Sequence, residues 1–272
     1  MKVYISADIE GVCGISHWDE TKLNHPDYRF FQQQLIKEVV AACEGAKQAG
    51  ASQVTVRDAH ETGRNIISSM LPPYVTLKRG WSGHPFSMVE GIEEGYDALL
   101  MIAYHSAADS GTSPLSHTLS TRTFKHIKIN GQLASELTLF ALAAASVNVP
   151  LVLVSGDAGL KTDVDWLNPK ITHIATNSYI GDLVTSCHPD IIVEKIKQET
   201  KVALDKTNID ACKIKLPTSF DIDIEYRRHQ QAYKASFYPG VERISDCSVR
   251  FKTDNYYDTM RNIMWLYTVG HV

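Results

Sequence analysis

The chain lacks any run of about 18 apolar residues, which excludes a membrane-spanning helix. It has only five cysteines (Cys13, Cys43, Cys187, Cys212 and Cys247), scattered, odd in number and without a C-x-x-C pair. That pattern argues against a disulfide framework and predicts free thiols in a reducing compartment. Charge of one sign is not in excess: net charge is −4 and no like-charge block stands out, so no footprint for nucleic acid or an anionic membrane is present. There is no G-x-G-x-x-G and no G-x-x-x-x-G-K-[ST], which removes the usual sequence support for nucleotide cradling. A G-x-S-x-G strand–turn–helix is missing too, so Ser116 is not read as a nucleophile. The start, MKVYISADIEG, holds an apolar stretch too short for a signal peptide, and it reads as a first strand. The expected location is cytoplasmic.

What remains is an ordinary globular composition, 44% hydrophobic and 21% charged, in 272 residues. That length suits one large domain, or a domain with a small appendage. Strand-length apolar runs at Lys2–Ala7, Gln53–Arg57, Ala98–Ala103, His126–Asn130 and Leu151–Ser155 alternate with helical patterns. Pro26–Gln48 carries Tyr28, Phe31, Leu35, Val39, Cys43 and Ala46 at spacings of three and four, the stripe of an amphipathic helix, with Gly50 as its stop. Ala134–Val147 is apolar nearly all round and predicts a buried helix closed by Pro150. The alternation predicts an α/β fold with a mainly parallel sheet flanked by helices. From about residue 207 the texture changes. Lys213–Leu216, Ile222–Tyr226 and Cys247–Lys252 read as strands, and Arg227–Ala235 and Asp254–Thr268 as helices. The expected division is a catalytic α/β metal-binding domain over 1–206 and a small C-terminal α+β domain over 207–272, expected to form an oligomer contact.

Three of these strands end in polar residues of one chemical kind. The first ends in Asp8-Ile9-Glu10, the second in Arg57-Asp58-Ala59-His60, and the third in Tyr104-His105. Residues two apart on a strand share a face, and two carboxylates so placed repel unless a cation lies between them. Taken singly, Asp8 reads more readily as a turn cap, Glu10 as a solvated carboxylate and a lone histidine as a satisfied core or surface residue. Their coincidence at strand carboxyl ends, where open α/β sheets form their ligand crevice, favours a metal site. Glu136 falls in the first turn of the apolar helix, where it is either a metal ligand or an anion held by the helix dipole. His117 lies in a Gly/Pro/Ser loop over 111–118, the kind of segment that carries function. Asp58 is open to two readings, a partner orienting a histidine or a turn carboxylate.

Taken in order, Ser-Ala-Asp8-Ile-Glu10-Gly-Val, Arg-Asp58-Ala-His60, Pro85-Phe-Ser-Met-Val-Glu-Gly91, Tyr104-His105-Ser, Ser116-His117-Thr and Ile129-Asn-Gly-Gln-Leu-Ala-Ser-Glu136 resemble the D-aminopeptidase family of the DppA type, a class of zinc peptidases. The motifs span roughly residues 1–160 and continue more weakly to the C-terminus. The resemblance implies two Zn2+ ions per subunit, with Asp8 bridging them. It assigns Glu10 and His60 to one ion, His105 and Glu136 to the other, and His117 to catalysis. It further implies a ring-based homo-oligomer, a decamer, acting on short peptides with an N-terminal D-amino acid such as D-Ala-D-Ala. Two other readings stay open: a dinuclear metal hydrolase of another amide or ester, and a non-catalytic metal-binding ring protein. For phosphate esters, Arg57, Lys78 and Arg79 show no clustering of the kind a phosphate clamp needs.

Overall fold

The computed structural model describes residues 1–270. Twelve strands occur among them: β1 (Lys2–Ala7), β2 (Gln53–Asp58), β3 (Val75–Lys78), β4 (Ala98–Tyr104), β5 (Phe124–Ile129), β6 (Gln132–Leu133), β7 (Leu151–Asp157), β8 (Thr172–Ile180), β9 (Leu183–Ser186), β10 (Phe220–Tyr226), β11 (Glu242–Arg243) and β12 (Ser248–Thr253). Seven α-helices accompany them: α1 (Tyr28–Gln48), α2 (Glu136–Ser146), α3 (Lys161–Leu167), α4 (Pro189–Ala203), α5 (Lys206–Ala211), α6 (His229–Ala235) and α7 (Tyr256–Gly270).

The strands form two sheets. The larger has the order β3-β2-β1-β4-β7-β8-β9 and is parallel except for the β8–β9 hairpin. The smaller, β11-β12-β10-β5-β6, is antiparallel. The mixed but mainly parallel α/β architecture expected from the sequence is therefore present. β1, β4 and β7 are almost wholly buried, as befits strands with both faces covered. β10 instead alternates, with Phe220, Ile222, Ile224 and Tyr226 inward. On its outer face Asp223 pairs with Arg250 at 2.6 Å, and Glu225 with Lys125 at 2.9 Å.

Helices α1 and α4 pack on each other and on the large sheet, while α2 packs on β4 and β7 and also on α7. The Tyr256 hydroxyl donates to the Leu139 carbonyl at 2.7 Å, tying α7 to α2. One continuous apolar cluster runs through both sheets, from Val3 and Leu100 to Ile127, Ile224 and Phe251.

Two local expectations change. The strand at His126–Asn130 belongs to the antiparallel sheet, where it pairs with β10, so the small sheet draws on both sides of residue 206. Lys213–Leu216 forms no strand; Ile214 and Leu216 pack on the core, but the segment joins no ladder and Pro217 follows it. No helix among the described residues is long and apolar enough to cross a membrane.

Candidate metal centre

All six residues singled out from the sequence meet in one place. Asp8 and Glu10 follow β1, His60 follows β2, His105 follows β4, and Glu136 is the first residue of α2. His117 arrives on the loop between β4 and β5. Ligand atoms of Asp8, Glu10 and His60 lie within 4.8 Å of one another, and so do those of His105, His117 and Glu136. His60 Nδ1 stands 3.3 Å from Asp8 Oδ1 and 3.2 Å from Glu10 Oε2. His105 Nε2 stands 3.4 Å from both Asp8 Oδ2 and Glu136 Oε2, and His117 Nε2 3.5 Å from Glu136 Oε1. The two oxygens of Asp8 thus face different groups of residues.

The rings are oriented by backbone carbonyls. His60 Nε2–H donates to the Thr21 carbonyl at 3.0 Å, His105 Nδ1–H to the Ser106 carbonyl at 3.0 Å, and His117 Nδ1–H to the Leu115 carbonyl at 3.0 Å. A carbonyl only accepts, so the nitrogen facing it carries a proton. In each neutral ring the remaining nitrogen presents a lone pair, and in all three that lone pair points at carboxylate oxygens. Lone pair against carboxylate is repulsive unless a cation lies between or the ring takes up a second proton.

The burial sharpens this conflict. Asp8, Glu10, His60, His105 and Glu136 are all buried. Among the described residues no Lys or Arg pairs with any of the three carboxylates. Asp8 Oδ2, Glu10 Oε2 and His105 Nε2 are buried with no hydrogen-bond partner, and all three face the centre of the cluster. Buried polar atoms are normally satisfied, and a concentration of orphans marks a place where something else binds. The residues therefore fit divalent cations: three carboxylates and imidazole nitrogens are a donor set that zinc accepts.

The same geometry dictates the protonation tendencies. Burial disfavours the charged form of His60, but Glu10 and Asp8 outweigh it and hold its pKa well above the ordinary value. His105 behaves likewise under Glu136 and Asp8. Burial would raise the Asp8 carboxyl, yet the imidazoles of His105 and His60 beside it pull it far below the usual range. Glu136 is lowered as well, burial being outweighed by His105 and His117.

Several supports were not legible as functional in the sequence. The turn Trp18–Glu20 is closed by a capping box between His17 and Glu20, which sets the following Thr21 carbonyl under His60. Trp18 meets the His117 ring edge-on at 5.2 Å, and His117 stacks on His105 at 4.1 Å. Asp157 accepts from the Ser106 N–H at 2.6 Å and from the Ser106 hydroxyl, fixing the residue whose carbonyl orients His105. Leu119, in the left-handed region, donates its N–H to Glu136 Oε1 at 2.7 Å. Asp58 resolves as a turn carboxylate: it accepts from the Asn65 and Ile66 N–H groups at 2.5 and 2.7 Å and from Asn65 Nδ2 at 2.8 Å. Asn65 Nδ2 also donates to the His60 carbonyl at 2.7 Å, so Asp58 reaches His60 only through that loop.

The cluster forms the floor of a cleft of about 950 Å³, walled by Trp18, Trp81, Met264 and Trp265. An apolar cleft with convergent polar groups at its floor is the form of a small-substrate site. Metal-type donors gathered in two groups at strand carboxyl ends, within a cleft, form the kind of arrangement that metal-dependent hydrolases use.

Comparison with known proteins narrows the class. The family model described as D-aminopeptidase matches residues 1–265. A D-aminopeptidase of Bacillus subtilis (strain 168) is 29% identical over 245 residues, covering 89% of this chain and 87% of that protein. The solved structure of the Zn-dependent D-aminopeptidase DppA from Bacillus subtilis, described as a self-compartmentalizing protease, superposes with a TM-score of 0.91 at 25% identity. That match covers 99% of this chain and 98% of the other. The chain belongs to the D-aminopeptidase family of peptidases and is an enzyme of that hydrolase class.

Proposed function

We propose that this chain is a zinc-dependent aminopeptidase that removes an N-terminal D-amino acid from short peptides such as D-Ala-D-Ala. Two ions per subunit would be held here, one by Glu10 and His60 and the other by His105 and Glu136, with Asp8 offering one oxygen to each group. The observation that carries the reading is the set of three histidines, each with one N–H spent on a backbone carbonyl and its other nitrogen aimed at carboxylates. The family name of the relatives supports the substrate class.

When bound, such ions polarise an amide carbonyl and make water nucleophilic near neutral pH. The chain's own residues supply the rest. Thr21, Ser106 and Leu115 hold the imidazoles in the tautomer that keeps the inward nitrogen free. His117 is the one histidine of the set that is not fully buried, and it lines the cleft. There its free Nε2 takes up the proton that the attacking water gives up and passes it to the leaving amine, while Trp18 and the His105 ring keep its plane fixed.

A second reading of His117 has its own observation, since its Nε2 groups with His105 and Glu136 as a third donor. Metal counting on His117→Ala separates the two: a proton-transfer role leaves the metal content intact. The proposed assembly is a ring-based decamer in the cytoplasm; the self-compartmentalizing relative supports an oligomer, and light scattering of the purified chain reports its size. The deciding experiment is a dipeptide panel of both chiralities with and without zinc. Cleavage of D-Ala-D-Ala that disappears with chelation supports the proposal; cleavage only of L-dipeptides or of neither overturns it.

A further inference from the structure

Five charged side chains outside the metal centre line the cleft, and two of them, Arg122 and Glu61, have neither an ion-pair nor a side-chain hydrogen-bond partner among the described residues, whereas Glu90 accepts from Ser82 Oγ at 2.6 Å. Arg122 lines the cleft and is exposed, and no acidic group among the described residues pairs with its guanidinium. The other two cations of the lining are committed: Lys22 pairs with Asp19 at 2.9 Å, and Arg261 with Asp258 at 2.9 Å. The Arg122 backbone is nevertheless pinned on both sides. Its N–H donates to Ser120 Oγ at 3.2 Å, and its carbonyl accepts from Gln231 Nε2 at 3.4 Å. A free guanidinium thus hangs from a fixed point three residues beyond Leu119, the residue that binds Glu136.

The mirror case is Glu61. It too lines the cleft, is exposed, and has no ion-pair partner among the described residues. It follows His60 directly, with φ at +39°, and its carbonyl accepts from Trp81 Nε1 at 2.8 Å. The cleft therefore carries an unpaired anion attached to the Glu10/His60 group and an unpaired cation attached to the His105/His117/Glu136 group.

We propose that Glu61 and Arg122 are specificity residues that read the two charged ends of a free, zwitterionic dipeptide, Glu61 taking the ammonium and Arg122 the carboxylate. A guanidinium forms paired hydrogen bonds to a carboxylate, which makes it the suited side chain for a free C-terminus. The inference rests on the peptidase reading above and adds to it a preference for substrates that end at the second residue. Both side chains are exposed, so their replacement leaves the fold in place.

The test is steady-state kinetics of the metal-loaded protein on D-Ala-D-Ala and on its C-terminal amide. The wild type is expected to favour the free acid. In Arg122→Ala the acid-over-amide ratio of kcat/KM is expected to fall about tenfold or more, the size of a lost charge-assisted hydrogen bond, through KM rather than kcat. Arg122→Lys is expected to recover part of that ratio, since it restores the charge without the fork. Glu61→Gln is expected to raise KM for acid and amide alike. A wild type indifferent to the amide, or an Arg122→Ala that loses equally on both, overturns the inference while leaving the peptidase reading standing. If the wild type cleaves neither ligand, that reading fails. Titration of the same ligands against the fluorescence of the cleft tryptophans, which needs no turnover, then decides between acid-selective binding that Arg122→Ala abolishes and its absence.

Discussion

Glu38 gives the sharpest physical test of how the site is held. It sits in α1, fully buried, and its Oε1 accepts from the Cys13 N–H at 3.0 Å and from Gln34 Nε2 at 3.0 Å. Oε2 has no partner. Cys13 lies in the segment that continues from Glu10, so this carboxyl fastens the chain immediately after the metal centre. Burial pushes its pKa up from 4.5 to about 7, against the downward pull of Gln34 and the Cys13 N–H. The sign follows from linkage. The folded state binds the proton more tightly than the unfolded one, so below about pH 4.5 nothing is lost. Stability then falls as pH rises from about 4.5 to about 7 and stays reduced above it. At about 1.4 kcal/mol per pH unit the loss at pH 8 is roughly 3 kcal/mol. Glu38→Gln copies the protonated carboxyl and keeps the acceptor for Cys13. Its melting temperature relative to wild type is expected to be near zero at pH 5 and higher at pH 8, by about 2–4 °C for each kcal/mol recovered. The difference between variant and wild type removes pH effects common to both, including those of the candidate metal ligands. A variant effect of equal size at pH 5 and pH 8 would refute the reasoning.

The remaining expectations concern the centre itself. Elemental analysis of the purified chain should find about two transition-metal ions per chain; Asp8→Ala should lose both, and His60→Ala chiefly one. His117→Ala should retain its metal yet lose about 100-fold or more in turnover, as measured on D-Ala-D-Ala. Gly11→Ala should impair both folding and metal binding, because a Cβ there runs into the Tyr104 carbonyl next to His105. Its cost is about 1–3 kcal/mol of overpacking, read by thermal unfolding, together with a weaker zinc titration.

Much of the centre was legible because its chemistry sits at the ends of strands with strong patterns. The run from Lys2 to Ala7, and those ending at His60 and His105, are short apolar segments stopped by donors, and the structure gathers those donors as the motif order suggested. What stayed hidden was whatever depends on backbone geometry or on distant partners. Ala103 adopts φ +61° within β4, where the β4–β7 register shifts, and nothing in the letters Ile-Ala-Tyr announces it. The carbonyls of Thr21, Ser106 and Leu115 orient the histidines, and carbonyls have no residue signature. The placement of β5 was hidden for a related reason. A strand pattern gives the side-chain alternation but not the neighbour, and the partner of β5 lies about a hundred residues downstream in β10. Asp58 was ambiguous because a turn carboxylate and a histidine partner use the same residue in the same place.

The strand order explains why Asp8 faces two groups of donors. β1 lies between β2 and β4 in the large sheet, with His60 at the end of one neighbour and His105 at the end of the other. The chain leaves β1 toward β2 and β3, then returns to pair β4 on the opposite side, so β1 and β4 flank a reversal of strand order. Side chains at the carboxyl ends of such a pair open into the crevice that the diverging connections leave. A carboxylate at the end of β1 has neighbouring strands on both sides, and its two oxygens face them separately, 3.3 Å from His60 and 3.4 Å from His105. Glu10 can join only the His60 side. The chain turns after Asp8, and the Gly11 N–H is held by the Ala103 carbonyl at 2.8 Å. Glu136 reaches the His105 side from the first turn of α2, where the helix N-terminus favours its negative charge and Leu119 fixes one oxygen. The split into two groups is thus a property of the topology before it is a property of any ion, and a single shared aspartate is what a reversal point at β1 and β4 provides.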